Sequence, residues 1–148
     1  MATIKGRVKA ISISVKKGTR KENVSQAELK IDHGIIGDAH AGNWHRQVSL
    51  LSFESIEAAS QGANISPGDF AENITTEGVD LNLLKVGDKI HSGKSIELEI
   101  TQRGKKCHTK CEIYKLVGDC IMPREGIFAK VIKGGMLKIG DEIEVIHD

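Results

Sequence analysis

The sequence has no long apolar run, few prolines, no excess of either charge and an odd number of cysteines. No apolar run reaches the roughly 18 residues that a membrane span needs. The N-terminal MATIKGRVKAISISV lacks the apolar core and the small-residue cleavage site of a signal peptide. Two prolines in 148 residues argue against a disordered linker. We therefore expect a folded protein that carries no signal peptide and does not cross a membrane.

The charge balance excludes a protein that attracts its partner through a global electric field. Lys and Arg number 21 and Asp and Glu 20, which leaves a formal net charge of +1. Neither nucleic acid nor a membrane surface is an expected partner, and any anion site must be local. Three cysteines in a chain too large to need disulfide staples indicate a cytoplasmic protein whose thiols are free or bound to metal.

Short segments of alternating apolar and polar residues, separated by glycine turns, predict a mainly β protein. Such patterns are typical of half-buried antiparallel strands, and closing the strands into a barrel removes exposed sheet edges. We expect one domain, residues 1–148, folded as a closed or nearly closed β-barrel, since a chain of this size buries roughly 70% of its unfolded surface. The clear strands are residues 10–15, 26–32, 95–101, 126–132 and 141–147, and the weaker ones are 46–51 and 70–75. The residues predicted to face the core include Ile11, Ile13 and Val15, then Ala27, Leu29 and Ile31, then Ile96, Leu98 and Ile100.

Two short helices are predicted beside the strands. Ser52 is a candidate N-cap of a helix over residues 52–62. Thr109 and Glu112 form a capping box, in which the Thr caps the helix and the Glu side chain reaches back to it. The apolar residues that follow at helical spacing indicate a short second helix that Gly118 ends, and this stripe is expected to pack into the core.

One segment of the sequence occurs twice in similar form. LLKVGDKI (83–90) returns as MLKIGDEI (136–143). Each copy contains a Gly-Asp turn that leads into a strand. Because a repeat protein would show the segment more than twice, the pair predicts two equivalent corners of one sheet.

The segment RGKKCHTKCEIYKLVGDC (103–120) carries all three cysteines among basic residues. Cys107 lies two residues before the predicted cap and Cys111 lies in the first helical turn, so both are near the positive end of the helix dipole. With Arg103 and Lys105 nearby, these surroundings lower the pKa of a thiol, and the thiolate is the form that attacks and binds soft metals. The same helix start is suited to bind phosphate.

Structural explanations for the cysteines stay open at this point. The spacing C-x3-C-x8-C is not a standard zinc pattern, which commonly contains C-x2-C or C-x4-C, but a structural zinc site is an alternative. A disulfide between Cys107 and Cys111 would cross a helix start, yet it fits neither the odd count nor a reducing compartment. Cys120 has the position of an inert buried thiol.

A second chemical cluster lies in DHGIIGDAHAGNWHRQ (32–47), which contains three histidines and two aspartates. A separate metal site is one interpretation, although the spacing matches no metal signature. We favour a loop at the barrel mouth, in which Asp38, His40 and Arg46 line a pocket. Trp44 either stacks on a flat ring system there or covers the core.

Further candidate binding residues are polar and lie near predicted turns. In PGDFAENI, Asp69, Glu72 and Asn73 could hydrogen-bond the edge of a ligand, and turn formation is their alternative role. Arg46 and Arg103 are candidates for bidentate hydrogen bonds to a phosphate. The alternative is that each is a solvated surface arginine.

These segments, in this order, resemble the MOSC domain family, the module also found at the C-terminus of molybdenum cofactor sulfurases. The similarity covers nearly the whole chain and implies a β-barrel related to the small barrel domain of pyruvate kinases. Each motif alone is weak, and their order and spacing together are specific. The matching segments are GIIGDAHAGNWHRQVSLLSFESIE (34–57), SPGDFAENITTEGVDLNLLKVGD (66–88), TQRGKKC (101–107) and GIFAKVIKGGMLKIGDEIEV (126–145).

The resemblance gives Cys107 a specific role. The cysteine that it matches ligates molybdenum in the pterin cofactor of related proteins, or is proposed to carry sulfur. Cysteine desulfurases that use pyridoxal phosphate are the proposed sulfur donors, and some relatives reduce N-hydroxylated compounds. Two features depart from the family: Lys106 stands where many members have proline, and Cys111 and Cys120 are not general to it.

We therefore predict a protein that binds the molybdenum cofactor (molybdopterin) or carries sulfur on Cys107. One alternative is a molybdenum-dependent oxidoreductase that reduces N-hydroxylated or S-oxidised small molecules, and another is a zinc-stabilised interaction module. A cysteine desulfurase or a molybdoenzyme is the expected protein partner. The predicted cofactor-binding residues are Asp38, His40, Arg46, Asp69, Glu72, Asn73, Arg103, Lys105 and Cys111, with Cys107 as the catalytic and metal-binding residue.

Overall fold

The computed structural model describes residues 4–17, 19–60, 65–104 and 121–146, and it shows the mainly β fold that the sequence predicts. The strands are β1 (Ile4–Ile13), β2 (Glu22–Val24), β3 (Gln26–Lys30), β4 (Gly34–Ile35), β5 (Val48–Ser52), β6 (Ile74–Glu77), β7 (Lys89–Ser92), β8 (Ile96–Arg103), β9 (Ile127–Lys133), β10 (Gly135–Lys138) and β11 (Glu142–Ile146). Strands β10, β3 and β4 form a separate small sheet.

Seven of these strands close into a barrel, as expected. They pair in the order β11-β7-β8-β9-β5-β6-β1, and β1 pairs with β11 to close the ring. The ten-residue β1 allows closure because its beginning pairs with β11 while its later part pairs with β6 and β2. The pair β5–β6 is parallel and the other six barrel pairs are antiparallel.

A helix, α1 (Phe53–Ser60), connects the two parallel strands β5 and β6. Two adjacent parallel strands need such a crossover connection, because a tight turn would make the second strand antiparallel to the first. The predicted N-cap is confirmed: the backbone N–H of Ser55 donates to Ser52 Oγ at 3.1 Å. The predicted end of this helix at Gly62 lies outside the described residues.

Two shorter helical segments were not predicted. A 3-10 helix (Leu81–Leu83) follows Asp80, whose carboxylate accepts the N–H of Asn82 at 3.0 Å. A one-turn helix, α2 (Met122–Glu125), precedes β9. The helix predicted from the capping box at residues 109–112 lies outside the described residues. None of the described helices is long and apolar enough to cross a bilayer.

The predicted strand faces are confirmed except at two strand ends. Ile96, Leu98 and Ile100 are buried as expected, as are the first two inward residues of β3. Val15 was predicted to face the core, but it is 94% exposed because β1 ends at Ile13 and the chain turns. Ile31 is likewise 54% exposed, because β3 ends before it and the next residue adopts a positive φ of 56°.

Two apolar clusters fill the fold, and adjacent residues of one strand belong to different clusters. Leu50 of β5 packs inside the barrel, whereas Leu51 packs into a second cluster with residues of α1 and α2. Strand β9 alternates in the same way, with Ala129 inside and Phe128 in the second cluster. This alternation follows from the period of two in a strand. One outer flank of the barrel is therefore also covered by an apolar layer.

The repeated segment forms two equivalent corners, as predicted. In each corner an aspartate side chain accepts a backbone N–H three residues earlier: Lys85 N–H to Asp88 at 2.8 Å and Lys138 N–H to Asp141 at 2.9 Å. The preceding glycines both adopt the left-handed conformation, with φ of 99° and 91°. The corners lead into β7 and β11, which pair with each other.

The two corners make a matched test of burial. Asp88 is 2% exposed, whereas the chain around Asp141 reaches solvent. We expect Asp88→Ala to lower the free energy of unfolding by about 2–3 kcal/mol, because the N–H of Lys85 loses a charged acceptor that is itself buried, and Asp141→Ala by about 0.5–1 kcal/mol. Urea unfolding of the two variants measures both values. Equal losses would contradict the role of burial at the first corner.

Candidate functional site

A buried ion pair joins the residue that precedes β2 to the loop between β4 and β5. Lys21 Nζ lies 2.7 Å from Asp38 Oδ1, and neither side chain is exposed to solvent. The same carboxylate accepts the backbone N–H of Ser14 at 3.1 Å and that of His40 at 3.1 Å. Buried charges are tolerated when they are paired and hydrogen-bonded in this way.

The carboxylate of Asp38 is held in its ionised form. Burial alone would raise its pKa, but the hydrogen bond and the charge of Lys21, together with the N–H groups of Ser14 and His40, outweigh burial. The pKa of Asp38 is therefore lowered from its ordinary value. This residue supplies a fixed negative charge and cannot serve as a proton donor near neutral pH.

His40 connects the ion pair to the protein surface. Its Nδ1 lies 3.0 Å from Lys21 Nζ, and its side chain is 20% exposed. The backbone carbonyl of His40 accepts the indole N–H of Trp44 at 2.7 Å. His40 thus contacts the buried ammonium through its ring and the partly exposed Trp44 through its backbone carbonyl.

Arg46 and Trp44 form a cationic and aromatic cradle beside His40. The guanidinium of Arg46 lies 4.7 Å from the Trp44 ring centroid and 5.6 Å from that of Phe128. Lys17 Nζ lies 4.8 Å from the Trp44 ring. Cations at these distances are attracted to the faces of the rings. We call Lys17, Trp44, Arg46 and Phe128 the cradle.

One buried hydrogen-bond donor in the cradle makes no hydrogen bond to the described residues. Arg46 Nε is buried and has no hydrogen-bond partner among the described residues. A buried polar group without a partner costs about 1–3 kcal/mol, more if it is charged. Such a donor is readily explained when a ligand atom accepts from it.

The Pro-Gly-Asp-Phe segment is hydrogen-bonded to the backbone of Lys21. The backbone N–H of Lys21 donates to the carbonyl of Gly68 at 2.8 Å. A Cβ added at Gly68 would lie 2.4 Å from the carbonyl oxygen of Lys21, and φ there is +95°. Only glycine satisfies both conditions, so this residue sets how closely the segment approaches the ion pair.

The predicted binding residues of this segment make their hydrogen bonds within the fold. Asn73 accepts the N–H of Ser49 at 3.0 Å and donates to the carbonyl of Ser12 at 3.1 Å. Glu72 Oε2 accepts the N–H of Gly68 at 2.9 Å. Asp69 accepts the N–H of Ser66 at 2.9 Å within its own turn. Their predicted contact with a ligand stays a prediction.

Glu72 has an unusual protonation state for a carboxyl group. It is fully buried, and burial raises its pKa from the ordinary value of 4.5 to about 7, against the lowering effect of hydrogen bonds from Gly68 and Thr75. Its Oε1 has no hydrogen-bond partner among the described residues. The carboxyl group is therefore largely protonated below neutral pH, in contrast to Asp38.

The other predicted site residues lie elsewhere or outside the described chain. The Arg103 guanidinium donates to the backbone carbonyls of Asn82, at 3.0 Å, and of Leu84, and so closes the end of the 3-10 helix. The positions of Lys105, Cys107 and Cys111 fall in residues 105–120, outside the described residues, as does Cys120.

The structure places Asp38 in contact with His40, and it places Arg46 over Trp44, whose indole N–H donates to the backbone carbonyl of His40. That these residues line a ligand pocket stays a prediction. Lys21, which contacts both Asp38 and His40, was not predicted, because TRKENV reads as an exposed charged turn. Phe128 was predicted only as part of a strand. Within the described ranges, no group of three or more His, Asp or Glu side chains is placed to hold a metal ion.

Comparison with known proteins identifies the family of this chain. A model of the MOSC domain matches residues 37–144, and the chain belongs to that family. The family is associated with molybdenum cofactor binding and with sulfurase-type function. No curated protein gives a significant match.

Solved structures share the fold at low sequence identity. The chain is similar to the YUAD protein from Bacillus subtilis, with a TM-score of 0.83, 22% identity and coverage of 99% of this chain and 98% of that one. It is also similar to YiiM from Escherichia coli, with a TM-score of 0.68, 17% identity and coverage of 96% and 70%. YiiM from Geobacillus stearothermophilus gives a TM-score of 0.66, 16% identity and coverage of 96% and 72%.

The raised pKa of Glu72 predicts how stability depends on pH. Because the folded protein binds this proton more tightly than the unfolded chain, the contribution is fully present below about pH 4.5 and is lost as the pH rises through about 7. Glu72→Gln keeps the acceptor for Gly68 and removes the titration. We expect the substitution to stabilise the protein at pH 8, by up to about 3 kcal/mol, and to change little at pH 5.

Urea unfolding between pH 5 and pH 8 measures this effect. Glu22→Gln, at an exposed glutamate, is the matched control and should leave the pH dependence unchanged. If Glu72→Gln and the unsubstituted protein lose stability in parallel as the pH rises, Glu72 is not the titrating group.

Proposed function

We propose that the protein binds a molybdenum–pterin cofactor or carries sulfur at the same site. The anionic group of the cofactor would lie in the cradle, and Cys107 would supply the thiolate. The observation that carries the proposal is the buried Arg46 Nε, which has no hydrogen-bond partner among the described residues although it lies between two aromatic rings. Membership of the MOSC family supports the identity of the ligand.

The residues of the site fit the anionic part of such a cofactor. The guanidinium of Arg46 presents donors in a planar fork that matches phosphate oxygens. Lys17 adds a second positive charge on the same tryptophan ring. The indole N–H of Trp44 donates to the backbone carbonyl of His40, which fixes the aromatic ring relative to the loop.

The metal would be held by a residue outside the described ranges. The described His, Asp and Glu side chains form no metal-binding group, whereas a thiolate suits the soft, sulfur-bound metal of the cofactor. When bound, the cofactor would supply a sulfur-ligated metal centre. In the proposal, the described residues bind and orient the ligand, and the thiolate of Cys107 is the metal ligand or the sulfur carrier.

The position of Gly104 supports a role for the cysteine segment beside the cradle. His45 Nε2 lies 2.8 Å from Gln102 Oε1, and the Gln102 amide donates to the carbonyl of Gly104 at 2.7 Å. His45 directly precedes Arg46 in the chain. Cys107 follows Gly104 by three residues in the sequence, and three residues span at most about 11 Å.

Two finer versions of the proposal differ in what Cys107 does. As a carrier, the protein would receive sulfur from a cysteine desulfurase that uses pyridoxal phosphate and pass it to a molybdoenzyme or its cofactor. As an oxidoreductase, it would retain the metal and reduce N-hydroxylated or S-oxidised small molecules. Metal and pterin analysis of the purified protein separates the two, because only the second needs retained, redox-active molybdenum.

Cys107→Ser tests the thiolate directly. The serine keeps a similar size but is a hard donor, so we expect the variant to fold and to lose molybdenum ligation or persulfide formation. The measurement is metal content by elemental mass spectrometry and persulfide by peptide mass spectrometry after incubation with molybdopterin or with a sulfur donor. Cys120→Ser is the matched control and should behave as the unsubstituted protein. Stoichiometric zinc that is lost in Cys107→Ser, in Cys120→Ser and in a third variant, Cys111→Ser, would overturn the proposal.

Arg46→Lys tests the cradle separately from the thiol. The substitution keeps the charge but removes the buried Nε and the planar contact with Trp44, so we expect binding of molybdopterin to weaken about tenfold. The chain has one tryptophan, and its fluorescence reports on the cradle alone. Arg7→Lys, at a surface ion pair with Glu77, is the control for the same chemical change. Unchanged affinity in Arg46→Lys would remove this residue from the site.

A further inference from the structure

The ammonium group of Lys21 has three acceptors within hydrogen-bond distance among the residues that the structure describes. Its Nζ lies 2.7 Å from Asp38 Oδ1, 3.0 Å from Ser14 Oγ and 3.0 Å from His40 Nδ1. The side chain is fully buried. A lysine ammonium carries three protons and accepts no hydrogen bond, so each of these contacts uses it as the donor.

The proton between Lys21 and His40 belongs to the lysine. In water a lysine amine is about four pKa units more basic than an imidazole. The carboxylate of Asp38 at 2.7 Å further favours the ammonium form. An imidazolium at this position would direct a second N–H towards the ammonium at 3.0 Å, which is repulsive.

His40 must then be a neutral imidazole that accepts at Nδ1. The neutral ring carries its single proton on the other nitrogen, Nε2. An imidazole in this form donates a hydrogen bond through Nε2 and cannot use that nitrogen as a metal ligand without losing the proton. The network therefore favours an acceptor, such as an oxyanion, over a metal cation at His40.

We propose that Lys21 is a positioning residue that fixes His40 as an Nε2–H donor, and that this donor acts with Arg46 to select a phosphoryl oxyanion as the ligand group. The inference deepens the proposed function and rests on it for the identity of the cofactor. It assigns a role to Lys21 that neither its sequence context nor the family match supplies.

The surroundings of Lys21 show that its position is set by the fold. Its backbone N–H donates to Gly68, whose own N–H donates to Glu72. The backbone of His40 is fixed on both sides, by the carboxylate of Asp38 on its N–H and by the indole of Trp44 on its carbonyl. The distance from Lys21 to His40 is thus constrained from both ends, as a positioning role requires.

Nitrogen-15 NMR of the histidine rings measures the tautomer without any ligand. We expect His40 to show a protonated Nε2 and an unprotonated Nδ1 at pH 7, with its signals identified by their loss in His40→Gln. The other histidines serve as references within the same spectrum. An Nδ1–H tautomer or an imidazolium at His40 would overturn the inference.

A second comparison separates positioning from stability. Lys21→Met alone would leave the carboxylate of Asp38 buried without its partner, and Asp38→Asn alone would leave the ammonium of Lys21 buried without its partner. The double variant Lys21→Met/Asp38→Asn is therefore used and compared with the unsubstituted protein. We expect the double variant to fold and to lose the fixed tautomer. Arg20→Met removes an exposed positive charge next to Lys21 in the chain and should leave His40 unchanged.

Inorganic phosphate is the probe for selection of the oxyanion, followed by Trp44 fluorescence and His40 shifts. We expect the double variant to bind phosphate about tenfold more weakly than the unsubstituted protein, because the oriented donor is lost. Equal binding by the double variant and the unsubstituted protein would overturn the role of Lys21. A protein with the Nε2–H tautomer and normal phosphate binding that takes up no molybdopterin would support the inference and contradict only the proposed function.

Discussion

The buried ion pair between Lys21 and Asp38 is the interaction on which the candidate site depends. Two charges without solvent exposure are stable only because each is fully engaged: the carboxylate accepts from the ammonium and from two backbone N–H groups, and the ammonium donates to three acceptors. Removal of one partner from such a pair costs about 3–5 kcal/mol, because the other charge stays buried. The pair therefore fixes the end of β1, the start of β2 and the loop that leads to β5 in one arrangement.

The barrel supplies the rigid frame for this arrangement. Strand β1 closes the ring with β11 and continues past it to pair with β2, so the residues at its end lie where the loop from β4 to β5 returns. The Pro-Gly-Asp-Phe segment lies against Lys21 through Gly68, which tolerates no side chain there. Two buried carboxyl groups near Lys21 have opposite properties: Asp38 is ionised beside its ammonium, and Glu72, for which no positively charged partner is described, has a raised pKa.

The candidate site combines two kinds of chemistry that come from different parts of the chain. The described residues provide oriented donors, positive charge and aromatic faces, all of which suit an oxyanion. A soft metal or a transferred sulfur atom needs a thiolate, and the three cysteines all lie in residues 105–120. In our proposal the cradle binds the anionic end of the cofactor, while Cys107 contacts its metal or its sulfur.

The sequence by itself determined the β class, the barrel, the capped helix after β5 and the equivalence of the two Gly-Asp corners. These features depend on local patterns: alternation, capping and turn chemistry act between residues that are close in the chain. It also singled out Asp38, His40 and Arg46, because a short segment rich in polar and aromatic residues between strands is visible without a structure. The strand ends at Val15 and Ile31 were wrong because alternation does not show where a strand stops pairing.

Only the tertiary structure decided which charges are buried and which donors lack a partner. Lys21 looks like one of several surface lysines in the sequence, and it becomes the centre of the site because the fold places Asp38, seventeen residues away, within 2.7 Å. Arg46 lies between Trp44 and Phe128, which is eighty-two residues further along the chain, because alternate residues of β9 face outwards. Burial and long-range contact are properties of the packed chain, and no local pattern of residues encodes them.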